Sequence, residues 1–140
     1  MTNAADFELS NKLTELEKLM GGITAWCQQH SISEETVYEV NLIVDEVVSN
    51  IIRHGFSDDK EHTIKFGLSL EKDELVMKVE DEGLHFNPLI IPPPDISRPM
   101  QERQPGGLGI FIVKKLTHDV QYRREGGRNF LVLRKRAAFD

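Results

Sequence analysis

Four residues, Gly106-Gly107-Leu108-Gly109, precede a helical pattern and could bind phosphate. Glycines at a helix N-terminus expose backbone N–H groups, and the first turn leaves further donors unpaired beside the positive end of the helix dipole. No Gly-Lys-Ser/Thr follows, so this is not a Walker A loop. The proline-rich segment before it excludes a dinucleotide fingerprint, which requires a preceding strand. Taken alone, the motif could equally be a flexible connector.

A second group lies where an alternating strand ends, at Asp81 and Gly83, with Phe86 three residues further on. A carboxylate in this position can accept a hydrogen bond from an exocyclic amine. The neighbouring glycine, which has no Cβ, lets a flat ring approach the backbone. Without other signals, the pattern is more typical of a turn.

The third group is Glu46 and Asn50, which interrupt the apolar run of NLIVDEVVSNIIRHG. At about 100° per residue they project together from a helix, outside the arc of roughly 100° that holds its valines. Asp45 falls outside their arc and is expected at the surface. For this helix alone a solvent-facing polar stripe is the simpler interpretation, and one wall of a site is the alternative.

The elements that must position these groups follow from periodicity and capping signals. We expect a strand at 7–9, a helix N-capped by Ser10 and weakened or broken at Gly21-Gly22, and a helix from Ser33 to about His54 that stops at Gly55. The order continues with strands at 64–70 and 75–79, a helix after Gly109, and strands at 120–122 and 129–133. This order predicts an α+β fold, a two-layer sandwich with helices packed on one face of a mostly antiparallel sheet.

Bulk properties predict one domain over residues 1–140 and a reducing, cytoplasmic setting, because the single cysteine cannot form an internal disulfide. No apolar run approaches the roughly 18 residues of a membrane span. The net charge of −6 argues against nucleic acid as the main partner. Residues 1–62 carry twelve acidic against four basic side chains, whereas 114–136 carry eight basic ones. These are either two solvated faces, or an acidic surface for a protein partner and a basic rim near an anionic ligand.

All six prolines lie between residues 88 and 105. Each proline lacks a backbone donor and restricts the residue before it, so regular helix or central strand is excluded here. Long loops of this kind are usually lids, binding loops or disordered segments.

In this order and spacing, the three groups resemble the motifs of the GHKL ATPases, which share the Bergerat ATP-binding fold. The resemblance covers roughly residues 7–135. Glu46 to Asn50 is similar to the N box, Asp81 to Phe86 to the G1 box, and Gly106 to Gly109 to the G2 box. It implies ATP or ADP as the nucleotide, Mg²⁺ as its metal, and an ATP lid at about 87–105.

Within that superfamily, His54 four residues after Asn50, and Asn87-Pro88 directly after Phe86, resemble the anti-sigma-factor serine kinases. That branch implies a homodimer that holds a sigma factor inactive and phosphorylates a serine of a small, STAS-type antagonist protein. Two alternatives stay open: a non-catalytic module of the same fold that uses nucleotide only to gate partner binding, and a detached histidine-kinase ATPase domain.

The resemblance also implies residue roles. Asn50 would bind Mg²⁺, Glu46 would accept the proton of the attacking serine, and Asp81 would bind the adenine amine. The remaining expected nucleotide contacts are Gly83, Phe86, Gly106, Gly107, Leu108 and Gly109, with Arg103 or Arg98 at the terminal phosphate. One departure stands out: family members often carry Gly-Thr at the start of the last strand, whereas here Gly127 is followed by Arg128-Asn129, which puts that contact in doubt.

Overall fold

The computed structural model of the 140-residue chain describes residues 3–85, 87 and 107–140. Several expectations concern residues outside this described part: Phe86, Arg98, Arg103, Gly106 and nearly all of the lid. The side chain of Leu108 also lies outside it.

The described helices and strands follow one another in the order that the sequence predicts. They are β1 (Ala4–Ser10), α1 (Leu13–Gln29), α2 (Glu34–His54), β2 (Thr63–Glu71), β3 (Glu74–Asp81), α3 (Gly107–Leu116), β4 (Asp119–Glu125) and β5 (Arg128–Arg136). The strands form one sheet in the order β1-β2-β3-β5-β4. Each neighbouring pair is antiparallel. The predicted α+β class is confirmed, with a sheet that is antiparallel throughout its described pairings.

The core lies between the helices and one face of the sheet. Alternate strand residues point into it, as a period of two requires; they include Ile64, Phe66, Leu68, Leu75, Met77, Val79, Leu131 and Leu133. The opposite face carries ion pairs, such as Arg134 with Glu74 and Arg128 with Glu80. Because one face is apolar and the other charged, the register of each strand is strongly determined.

Helix α2 has the predicted bounds. The Ser33 hydroxyl accepts a hydrogen bond from the Thr36 amide at 3.2 Å, which satisfies one of the free donors of the first turn. Gly55 is the C-cap, and its amide donates to the Ile51 carbonyl at 2.7 Å. These caps hold the ends of the helix that carries Glu46 and Asn50.

The predicted N-cap of α1 is wrong, and of the two alternatives at Gly21-Gly22, weakening or breaking the helix, the break does not occur. Ser10 is not its N-cap, because Ser10 belongs to β1 and pairs with Thr63 of β2; the cap position is Lys12, which makes no side-chain capping bond. Gly21-Gly22 do not break the helix. At Gly22 a Cβ would lie 2.7 Å from the Phe7 ring, so the glycine lets α1 pack closely on β1. This packing outweighs a propensity cost of about 1 kcal/mol per glycine.

Candidate functional site

Glu46 and Asn50 form a hydrogen-bonded pair on α2. The Asn50 amide nitrogen donates to Glu46 Oε1 at 3.0 Å, and the Asn50 side chain is only 5% exposed. Glu46 is half-buried, whereas Asp45 is exposed as the sequence predicts. The bond uses the donor end of the carboxamide, so its oxygen is the end that can bind a cation.

The first turn of α3 lies directly against this pair. A Cβ added at Gly109 would overlap the carboxylate of Glu46, so the backbone of α3 approaches Glu46 as closely as glycine allows. Gly109 is the third residue of α3, within the turn whose backbone N–H groups lack helical partners. The arrangement therefore places a proton acceptor beside a helix N-terminus suited to phosphate.

Asp81 and Gly83 form a tight turn at the end of β3. The Gly83 amide donates to Asp81 Oδ1 at 2.7 Å, and Asp81 is 4% exposed. The next amide, that of Leu84, donates to the carbonyl of Gly55 at 2.6 Å. A Cβ at Gly83 would overlap that same carbonyl. Glycine is therefore favoured at position 83 by close packing against Gly55. This reason adds to the expected one, that glycine leaves space for a flat ring.

Helix α2 spaces the two halves of the site. Glu46, within α2, contacts α3, and Gly55, the C-cap of α2, receives the turn that follows Asp81. Nine residues at 1.5 Å per residue separate Glu46 from Gly55 by about 14 Å along the helix axis. The N-terminal donors of α3 therefore lie beside Glu46, and the buried carboxylate of Asp81 lies toward the C-terminal end of α2.

Sequence reasoning missed Asn129, Tyr122 and Arg124. Asn129 is 4% exposed and lies opposite Asp81 in the antiparallel register of β3 and β5. Its side chain donates to Asp81 Oδ1 at 3.1 Å and accepts from both Tyr122 and Arg124. Strand alternation was the available signal, because Asn129 shares the inward face with Leu131 and is polar there.

The neighbouring Arg128 lies on the outer face of the sheet. It binds Glu80 at 2.6 Å and also contacts Glu82. Of the two residues that replace the usual Gly-Thr continuation, only Asn129 therefore faces the site.

The described residues offer few side chains that could bind a metal ion at this site. No cluster of three or more His, Cys, Asp or Glu side chains that could hold an ion occurs in the described part of the chain. A cation bound at Asn50 would have to take most of its ligands from a substrate and from water. Mg²⁺ commonly binds in this way, with few protein ligands and with substrate phosphates, so the residues present fit it.

Comparison with known proteins assigns the fold to a family. A family model described as histidine kinase-like ATPase domain matches residues 9–135. The serine/threonine-protein kinase BtrW of Bordetella bronchiseptica is 26% identical over 139 residues, covering 93% of this chain and 98% of that protein. The serine-protein kinase RsbW of Bacillus mycoides is 30% identical over 99 residues, which are 67% of this chain and 61% of RsbW.

Solved structures share the architecture. The RsbU and RsbW domains of a Mycobacterium tuberculosis protein match with a TM-score of 0.68 at 12% identity, over 99% of this chain and 33% of that one. The SiaB-SiaC complex of Pseudomonas aeruginosa matches with a TM-score of 0.59 at 13% identity, over 94% and 88% of the two chains. At these identities the likeness concerns the fold. No helix among the described residues has the length and hydropathy needed to cross a membrane.

Proposed function

The chain belongs to the histidine kinase-like ATPase family, and on that premise we propose that it is an ATP-dependent serine-protein kinase of the anti-sigma-factor type. Its substrate would be a serine of a small antagonist protein. The end-to-end match to a serine/threonine-protein kinase, BtrW, supports this branch. RsbW relatives carry the same activity in their names, although the alignment spans only 61% of the Bacillus mycoides protein.

The contact between Glu46 and the first turn of α3 carries the proposal. A domain that only binds nucleotide needs phosphate contacts but has no need of a carboxylate next to them. Here a half-buried carboxylate lies on the backbone of Gly109 and is held by Asn50. These contacts support a role for Glu46 as the base that accepts a proton from a hydroxyl attacking a bound phosphate.

The proposed reaction is a direct transfer. The serine oxygen attacks the γ-phosphorus of ATP, the bond from that phosphorus to the bridging β–γ oxygen breaks, and ADP leaves. Glu46 accepts the serine proton. Backbone donors at Gly107 and Gly109 hold the phosphates. Asn50 would bind Mg²⁺, which when bound offsets negative charge on the phosphates.

Near the C-terminal end of α2, Asp81 accepts a hydrogen bond from the adenine amine. Its burial supports this role, because a carboxylate that is 4% exposed and held by a backbone amide presents its remaining oxygen with little freedom. Phe86, Leu108 and Gly106 complete the proposed nucleotide contacts, with Arg103 or Arg98 at the terminal phosphate; they act from the 87–105 lid or its borders.

The proposal extends to partners. The chain would hold a sigma factor inactive, take a STAS-type antagonist as its phosphorylation substrate, regulate transcription without contacting nucleic acid, and act in the cytoplasm as a single domain over 1–140. A homodimer through β1 and α1 is part of it. The position of β1 at one edge of the described sheet supports this interface, since strands of two chains can pair at a sheet edge.

Phosphoryl transfer to a co-encoded antagonist protein tests the proposal. With Mg²⁺ and ATP labelled at the γ-phosphate, we expect acid-stable phosphoserine on the antagonist. Tight ATP binding with no transfer would instead favour the non-catalytic, nucleotide-gated module. Acid-labile phosphate on a histidine would favour a histidine-kinase ATPase domain.

A further inference from the structure

Asn129 uses the full hydrogen-bonding capacity of its carboxamide within the protein. Its nitrogen donates to Asp81 Oδ1 at 3.1 Å and to the Leu84 carbonyl at 2.7 Å. Its oxygen accepts from the Tyr122 hydroxyl at 2.5 Å and from Arg124 Nη1 at 3.0 Å. A carboxamide has two N–H donors and two acceptor lone pairs, so no group remains for a ligand.

The orientation of this carboxamide is determined from both sides. Two donors, Tyr122 and Arg124, converge on its oxygen, and two acceptors converge on its nitrogen. Rotating the amide by 180° would place donors against donors and acceptors against acceptors. At 4% exposure there is little water to relieve that mismatch.

The same network immobilises Asp81. Oδ1 accepts from the Gly83 amide and from Asn129, so both hydrogen bonds that the described residues make to this carboxylate go to one oxygen. Among the described residues none donates to the second oxygen, Oδ2, which is therefore the acceptor that we assign to a ligand. Arg124 also donates to the Gly83 carbonyl at 3.0 Å, which ties β4 to the turn after Asp81.

We infer that Asn129 is a positioning residue for base selection: it holds Asp81 so that Oδ2 accepts an exocyclic amine at the 6-position of a purine. A 6-amino group donates to such an oxygen, whereas the 6-carbonyl of a 6-oxopurine presents a second acceptor and is rejected. This inference rests on the proposed ATP-binding function. It assigns to Asn129 an indirect role, since its own amide never contacts the base.

Asn129→Asp is the informative substitution. It preserves shape and the acceptor for Tyr122 and Arg124, but replaces the donor that faces Asp81 by an oxygen. Tyr122→Phe is the milder second variant, because it removes one donor to Asn129 and keeps the ring that stacks on His85. Asn41→Asp is the matched control, since the Asn41 amide donates to Thr24 between α1 and α2, in another part of the fold.

The measurement is calorimetric binding of three nucleotides: ATP, GTP, and purine riboside 5′-triphosphate, which lacks the 6-amino group. Wild-type protein should prefer ATP to both others. Asn129→Asp should weaken ATP binding about tenfold or more, as expected when a hydrogen bond to a charged group is lost. It should change binding of the analogue without the amine by less than about threefold, a range within 0.7 kcal/mol. Asn129→Asp should thus lower the ratio of ATP affinity to analogue affinity. Tyr122→Phe should lower this ratio by less, and Asn41→Asp should leave it unchanged.

An unchanged ratio in both site variants would overturn the inference, as would an equal loss for ATP and for the analogue, which indicates general damage to the site. If Asn129→Asp does not fold, the ratio in Tyr122→Phe decides. A wild type that binds ATP and the analogue equally well overturns this inference but leaves the kinase proposal standing. A wild type that binds no nucleotide overturns both.

Discussion

Glu46→Gln should nearly abolish phosphoryl transfer and leave ATP binding intact. Glutamine has the same shape and keeps an oxygen that can accept from Asn50, so the 3.0 Å bond survives. It also fits the space against Gly109 that Glu46 now fills. The negative charge of the carboxylate is lost, and with it the capacity to take a proton. Positioned proton transfer contributes about 10²–10⁴-fold, which corresponds to roughly 3–5 kcal/mol of the barrier.

Glutamine is a cleaner change than alanine at this position. Glu46→Ala would leave the amide nitrogen of Asn50 without its acceptor in a side chain that is 5% exposed. An unsatisfied buried donor costs about 1–3 kcal/mol. It would also free Asn50, the proposed metal ligand, to rotate, so the loss of a base and the loss of metal binding would be confused.

The assay is single-turnover transfer from labelled ATP to the antagonist serine, alongside a direct measurement of ATP affinity. Asp45→Asn is the matched control, because it makes the same charge change at the adjacent, exposed position of α2. We expect the control to retain wild-type transfer. Transfer by Glu46→Gln within about threefold of wild type would refute the role of Glu46 as base. A loss of affinity equal to the loss of rate would instead assign Glu46 to binding.

Three further changes probe the packing and the buried polar groups of the fold. Gly83→Ala should lower the free energy of unfolding by about 1–3 kcal/mol in urea titration, because its Cβ overlaps the Gly55 carbonyl; unchanged stability would contradict this. Lys135→Met should destabilise by a similar amount, since Lys135 is only 8% exposed and its ammonium pairs with Glu39 at 3.1 Å. Adding Glu39→Gln should restore part of the loss. Burial raises the pKa of Cys27 to about 11, so the native state retains this proton longer than the unfolded state, whose thiol titrates near about 8.5. The melting temperature should therefore fall as pH rises through that window, and Cys27→Ala should reduce this fall.

The sequence predicted most of the fold because the signals are local. On α2, a period of 3.6 separates the valines from Glu46 and Asn50, and the predicted start at Ser33 and stop at Gly55 agree with the observed caps. The strand predicted at 64–70 is confirmed as β2, and its alternate residues Phe66 and Leu68 lie in the core. The wrong N-cap of α1 and its unbroken course through Gly21-Gly22 have one kind of cause, contacts between residues distant in sequence: Ser10 pairs with Thr63, and Gly22 contacts Phe7.

The candidate site was predicted in part. The hydrogen bond between Glu46 and Asn50 confirms that they project together, because one helical turn relates them. The resemblance to a known family suggested that Asp81 and the glycines belong with them. The role of Asn129 in the site was not predicted, because a polar residue on an inward strand face indicates burial but does not identify its hydrogen-bond partner.

The sequence by itself therefore determined which side chains lie on which face of each helix and strand, since backbone geometry imposes those periods within a few residues. Only the tertiary structure decided which faces meet. Gly109 reaches Glu46, Leu84 reaches Gly55, and Asn129 reaches Asp81 across 48 residues, with β5 placed between β3 and β4. These pairings depend on the cooperative packing of one core against one sheet face, and no local pattern specifies the partner of a buried polar group.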